Sequence, residues 1–213
     1  YSTIYDETKK IAENLYQDDF GIKWSFKKQD FGGYCEMVEH PFADLRRYDR
    51  FKWPDPLKVS RVGLEENRQL IARDGREYGI IGAVACSMLE GAWYLRGLEN
   101  MLLDLAGNLD FVEDLLDHTM NHSLALSREL VKMGVDILWW GDDFSVESGP
   151  IMQPELFRRL LKSRYARVFQ ELLGLNKNLK IAFHCASKVA WAVDDLVEPG
   201  VDIINPLQPD VND

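Results

Sequence analysis

The sequence lacks the short motifs that mark nucleotide or acyl chemistry: there is no phosphate-binding Gly loop, no GxGxxG and no GxSxG elbow. Cysteine is scarce. Cys35, Cys86 and Cys185 form an odd, scattered set without a CxxC pair, which excludes a disulfide framework and fits a reduced, cytoplasmic protein. Basic residues are in deficit, 25 Lys and Arg against 35 Asp and Glu, for a net charge of −10. That balance argues against nucleic acid or an anionic membrane as the main partner, while leaving room for a local basic pocket. No apolar run reaches membrane-span length, no signal-peptide pattern opens the chain, and no short-period repeat runs through it. The first residue is Tyr1, and Pro209 to Asp213 stop in a loop where a helix is expected. Residues 1–213 therefore read as one domain, incomplete at both ends.

What is present is a set of short apolar runs, each followed by chemically capable residues. Val135 to Gly141 reads V-D-I-L-W-W-G and leads into Asp142 and Asp143. Lys180 to Phe183 reads K-I-A-F and leads into His184 and Cys185; Val201 to Asn205 reads V-D-I-I-N and leads into Pro206, Leu207 and Gln208. Tyr78 to Ala85 is a fourth run. Their length and β-branched or aromatic content suit strands buried on both faces. Helical spacing fills the intervals. The long helix after Asn108 carries Val112, Leu115, Leu116, Thr119, Leu126, Leu130 and Val131 on one side and ends near Gly134. Another starts with Pro154 at its first position and stops near Gly174, and a short one covers about 189 to 197. Residues 98 to 106 are also helical.

Before these units, residues 4 to 16 read as a short amphipathic helix. Residues 20–39 read as a β-hairpin insertion with a longer Gly-containing loop, because Ile22, Trp24 and Phe26 alternate ahead of Gly32 and Gly33. Residues 76–213 then supply the βα units. Four parallel strands with crossover helices are consistent with α/β architecture, either half of an eight-stranded (β/α)8 barrel or a small open sheet. The four strands should be adjacent in chain order.

In both architectures the carboxyl ends of the strands form the usual site. Asp142, Asp143 and His184 are the candidate catalytic residues, as carboxylates or an imidazole able to bind or move a proton. Strand alternation sends Asp142 and Asp143 to different sides, so one can face the pocket while the other anchors the loop. Asn205 and Gln208 offer amides to polar substrate edges. Trp139, Trp140, Trp93 and Tyr94 are core or pocket wall, with Trp140 the candidate to line a substrate. His184 and Cys185 are both good zinc ligands but start on opposite faces, and two ligands do not complete a site. His118 and His122 stand one helical turn apart and read as surface residues.

Several separated blocks carry a resemblance: W-P-D-P at 53 to 56, L-R-G-L-E-N at 95 to 100, G-D-D at 141 to 143, S-G-P-I-M-Q-P-E-L-F-R from Ser148, F-H at 183 to 184, and D-D-L-V-E-P-G-V-D-I-I-N-P-L-Q-P from Asp194. They resemble the uroporphyrinogen decarboxylase superfamily, especially its cobalamin-associated methyltransferase-like members. The resemblance implies a (β/α)8 barrel of which this chain is a central part. It implies one of two chemistries. One is corrinoid-linked methyl transfer, with a corrinoid protein as partner and often zinc. The other is cofactor-free decarboxylation of a tetrapyrrole. The family's zinc motif is His, one residue, Cys; here His184 matches, Ala186 stands in the Cys place and Cys185 comes one position early. A non-catalytic relative that binds a tetrapyrrole or a partner is the third reading.

Overall fold

A computed structural model describes residues 9–59, 61–75 and 77–212. The chain opens with β1 (Lys9–Ala12), β2 (Leu15–Gln17), β3 (Lys23–Gln29) and β4 (Gly32–Glu39). After a 3-10 turn at Leu45–Arg50 come α1 (Pro56–Val59) and α2 (Arg61–Asp74). Then follow β5 (Ile81–Val84), α3 (Leu89–Arg96), α4 (Leu98–Gly107) and α5 (Leu109–Met133). Next come β6 (Ile137–Gly141) and a small ribbon of β7 (Ser145–Val146) and β8 (Gly149–Pro150). The chain continues through α6 (Pro154–Phe157), a wider π-type stretch at Arg158–Lys162 and α7 (Ser163–Leu175). It closes with β9 (Lys180–His184), α8 (Val193–Val197) and β10 (Ile203–Asn205).

The four expected strands form one parallel sheet in the order β5, β6, β9, β10. Two V-D-I sequences help set its register. Asp136 accepts the Ile80 N–H at 2.7 Å, and Asp202 accepts the Ile181 N–H at 3.0 Å, so each aspartate ties the start of its strand to the preceding one. Strand alternation then divides the side chains. Leu138, Trp140, Ile181 and Phe183 are fully buried and face the helices. Trp140 meets Phe169 edge-on at 5.8 Å, and Phe183 meets Tyr165 at 5.1 Å, both partners on α7. Trp139, Ala182 and His184 occupy the alternate positions on the other face. The long helix α5 ends as the sequence predicts: Gly134 takes φ +91°, and its N–H bonds to Leu130 and Val131 carbonyls.

The N-terminal region departs from expectation. The part of residues 4 to 16 that is described is extended, not helical, and pairs as β1 and β2; residues 1–8 lie outside the described residues. The hairpin is half of a four-stranded antiparallel sheet, and its turn is only Asp30–Phe31 rather than a long loop. Gly32 and Gly33 belong to β4. Apolar alternation in Leu15–Gln17 is too short to outweigh helical spacing on paper, but pairing with β3 supplies the backbone partners that decide it. The sheet docks through Phe20, Ile22 and Trp24, all buried. Asp18 holds that edge by accepting Ile22 N–H and Trp24 Nε1–H, each at 2.9 Å. Helix α3 is absent from the sequence reading, which starts a helix at Leu98. Gly107 is the last residue of α4, and Asn108 alone separates it from α5. Among the described residues no helix is long and apolar enough to cross a membrane.

Leu138 fills the layer between sheet and helices, whereas Phe31 sits fully exposed at the hairpin tip. Leu138→Ala is expected to cost about 2–5 kcal/mol by leaving a cavity, and Phe31→Ala to change stability by less than about 0.5 kcal/mol. Urea denaturation of the two variants measures both.

Candidate active site

At the carboxyl end of β6 the two aspartates diverge as strand geometry requires. Asp142 turns toward the helices and is fully buried. Its carboxylate accepts the Leu89 and Glu90 N–H groups at 3.0 and 2.8 Å and the Tyr165 hydroxyl at 2.7 Å. It thereby caps α3 from another element, a service that Met88, the residue before the helix, has no polar atom to provide. Asp142 is a sequence candidate for catalysis, and the structure places it as an anchor away from the open face. Asp143 turns to that face, is half-buried and accepts the Ala186 N–H at 2.7 Å.

The turn after β9 gathers the other candidates. His184 Nδ1 lies 2.9 Å from Asn205 Oδ1, and its ring is 4.8 Å from that of Trp139. Gln208 Oε1 accepts the Ser187 N–H, and Ser187 itself adopts φ +81°, an unusual conformation for a residue with a side chain. Gly141 explains the position of Trp139: a Cβ there would stand 2.8 Å from the indole, so the missing side chain lets Trp139 lie over the strand end toward His184. Asp143, His184, Asn205 and Gln208 thus meet at one end of the sheet.

Two sequence candidates are redirected. Trp140 is not a substrate-facing residue: it is buried in the helix-side core, and among the described residues its Nε1 has no hydrogen-bond partner. Trp139 takes the open-face position instead. Cys185 also turns to the buried side, and desolvation pushes its thiol up to about 12. The thiolate that zinc requires is therefore disfavoured, and His184 and Cys185 do not converge on one ion. Among the described residues no three His, Cys, Asp or Glu side chains form a group able to hold a metal. The donor set among the described residues does not fit the zinc that the resemblance implies. His118 stacks on Trp53 at 4.2 Å, and His122 is buried rather than on the surface; desolvation lowers its pKa to about 4.

Sequence reasoning missed Glu90, in the first turn of α3. Glu90 is 8% exposed. Its Oε2 accepts the Asp143 N–H at 3.2 Å; its Oε1 receives the Tyr94 hydroxyl at 3.4 Å and the Cys86 thiol at 3.7 Å. Desolvation first, then the charges of Asp142 and Asp143, push Glu90 up to about 8. Asp142 is also raised, to about 6, by burial, but its three short donors oppose the shift. Of the two, Glu90 is the group that keeps its proton. The signal in the sequence was a carboxylate shortly after a buried strand, in a stretch where no helix had been assigned.

A parallel βα sheet with polar groups gathered at its carboxyl ends defines a barrel-type α/β unit. The family model described as "Uroporphyrinogen decarboxylase (URO-D)" matches residues 17–206, and the chain belongs to that family. Among solved structures, a methyltransferase from Methanosarcina mazei is similar, with a TM-score of 0.64 and 18% identity over 87% of this chain. The chain spans 52% of that protein, and the likeness is one of fold. No curated protein matches. The family is a (β/α)8 barrel, and this chain covers part of it, with the N-terminal antiparallel sheet beside it.

The high pKa of Glu90 gives stability a definite pH dependence. Folded Glu90 holds its proton up to about 8, whereas the unfolded residue releases it near its ordinary value of 4.5. The folded state binds more protons between those values, so stability falls as pH rises through the window and flattens above it. Asp142, raised to about 6, acts in the same direction, and His122, lowered to about 4, acts in the opposite one below its ordinary 6.5. Glu90→Gln should therefore flatten the decline between pH 6.5 and 8, where the other two contribute least. Thermal melts of both proteins across that range check it.

Proposed function

We propose that this chain is the central part of a uroporphyrinogen-decarboxylase-superfamily enzyme that transfers a methyl group in a corrinoid-linked reaction. The corrinoid enters as a co-substrate carried by a partner protein. The observation that supports this choice is the likeness in fold to the methyltransferase from Methanosarcina mazei, and the carboxyl-rich strand-end group is compatible with it. The group's hydrogen-bonded members include the carboxyls of Glu90, Asp142 and Asp143, with His184, Asn205 and Gln208, and among the described residues no guanidinium or ammonium is hydrogen-bonded to them. A polycarboxylate tetrapyrrole would bring its negative charges against Asp143, at a cost that grows in a low-dielectric site. A methyl donor or acceptor of low charge meets no such opposition.

In this reading each residue does what its geometry permits. Asp143, fixed by the Ala186 N–H, presents a carboxylate oxygen to a substrate N–H or O–H. His184, oriented by Asn205, and Gln208 complete a polar rim. Trp139 supplies an aromatic wall beside His184 that excludes water from the reacting groups. Asp142 does not touch substrate; it fixes the start of α3.

The full-length protein should catalyse methyl transfer to reduced cobalamin or from methylcobalamin, and should leave the carboxylates of uroporphyrinogen intact. Parallel assays of cobalamin absorbance and of carbon dioxide release separate the two. Carbon dioxide release without methyl transfer would establish the tetrapyrrole decarboxylase reading instead.

A further inference from the structure

We infer that the cleft between α4 and the segment running from β7 into α6 is a docking groove for a helix of a partner protein, one whose apolar stripe is flanked by lysine and arginine. The inference does not depend on the methyl-transfer reading. The cleft has a volume of about 330 Å³. Leu102, Leu105 and Ala106 line it from α4, and Pro150, Met152 and Leu156 line it from the opposite wall.

The apolar lining follows from the helical period. Leu98, Leu102 and Leu105 stand four and three residues apart and so share one side of α4. Leu105 and Met152 are each 7% exposed, whereas Leu102 is 40% and Leu98 44% exposed. One side of the helix is thus partly packed against the chain's own core and partly left to water. Leu103 on the same helix and Val146 on β7 are exposed as well. Large apolar side chains left open around one cleft mark a contact surface. The wall opposite α4 is held in shape: Ser145–Val146 pairs with Gly149–Pro150, and the Ile151 N–H bonds to the Phe144 carbonyl at 3.0 Å.

Charge selects the occupant. Residues 98–110 carry Glu99, Asp104 and Asp110, residues 145–157 carry Glu147 and Glu155, and neither stretch holds a Lys or Arg. Arg96 neutralises Asp104 at 2.6 Å, and Arg158 lies 3.8 Å from Glu155. Glu99, Asp110 and Glu147 are exposed and form no ion pair among the described residues. A partner with cations beside its apolar residues is attracted on both counts, and an acidic one is repelled. A second copy of this chain, docked through the same patch, would set these acids against their own counterparts.

The backbone around the cleft selects a helix. The interior of α4 bonds its own N–H and C=O groups, and β7 and β8 are two residues each and pair with one another. An extended peptide finds no strand edge of useful length there, so its backbone groups would be buried without partners. A helix arrives with its backbone already bonded and offers side chains alone. The ten residues of α4 give an axis of about 15 Å, which matches about three turns of a partner helix.

The test uses the full-length protein and a fluorescently labelled helical peptide of about five turns, with leucine at i, i+3, i+4 and i+7 and lysine on either side. A second peptide keeps the leucines and replaces every lysine by glutamate. Anisotropy at about 0.15 M salt should show the lysine peptide binding at least about tenfold tighter than the glutamate peptide. Leu102→Asp should weaken the lysine peptide at least about tenfold, although the added negative charge would strengthen a purely electrostatic contact. Glu99→Gln combined with Glu147→Gln should weaken it about threefold or more and reduce its salt dependence. All three positions are exposed, so urea midpoints of the variants should match wild type. Equal affinity for the two peptides, binding unaffected by Leu102→Asp, or no binding of the lysine peptide at about 1 mM overturns the proposal. So does a wild-type dimer in sedimentation that Leu102→Asp dissociates, which would give the groove to a second copy.

Discussion

Asp142 carries its carboxylate where no water reaches it, and the arrangement of the sheet end depends on how that charge is met. Two backbone N–H groups at the start of α3 and the Tyr165 hydroxyl from α7 converge on it. One side chain therefore ties β6 to the helix that follows β5 and to the helix that precedes β9. The positive end of α3 favours the anion, and the anion in turn fixes where α3 begins. Each of the three donors would cost about 1–3 kcal/mol if left buried and unpaired.

The consequences reach the open face. With α3 fixed, Glu90 falls between the ends of β5 and β6, next to Asp143. Three carboxyls in so small a volume cannot all ionise cheaply, and the group with the weakest donors keeps its proton. Asp142 has the short bonds, so Glu90 is the more easily protonated of the two buried carboxyls. Tyr94, which touches Glu90, also packs edge-on against Trp24 at 6.2 Å, so the N-terminal sheet braces the same helix. The antiparallel sheet thereby supports the helix that carries Glu90.

Most of the parallel sheet was legible because buried strands write themselves as short apolar runs, and the polar residues after them mark the site end. The division of Asp142 from Asp143 followed from the two-residue period of a strand, although which of them faced the core did not. The same period was overlooked at Trp139 and Trp140, where Trp140 shares the parity of Leu138 and faces the helices. Glu90 escaped because its environment is assembled from residues about 50 positions away, and nothing local to it marks the pKa or the helix start. The N-terminal strands escaped for a similar reason. Their apolar residues are few, and pairing with β3, not local preference, gives them their form.

The central claim is that Asp142 builds the site while Asp143 works in it. Asp142→Asn and Asp143→Asn in the full-length protein test that division most directly, with stability from urea denaturation and methyl transfer measured on the same samples. Asp142→Asn should lose at least about 2 kcal/mol of stability, since an amide cannot accept all three donors without also presenting its own N–H groups. Asp143→Asn should lose less than about 1 kcal/mol while turnover falls at least about tenfold, because the amide still accepts the Ala186 N–H but carries no charge. An Asp143→Asn protein of full activity, or an Asp142→Asn protein of unchanged stability, would contradict the account.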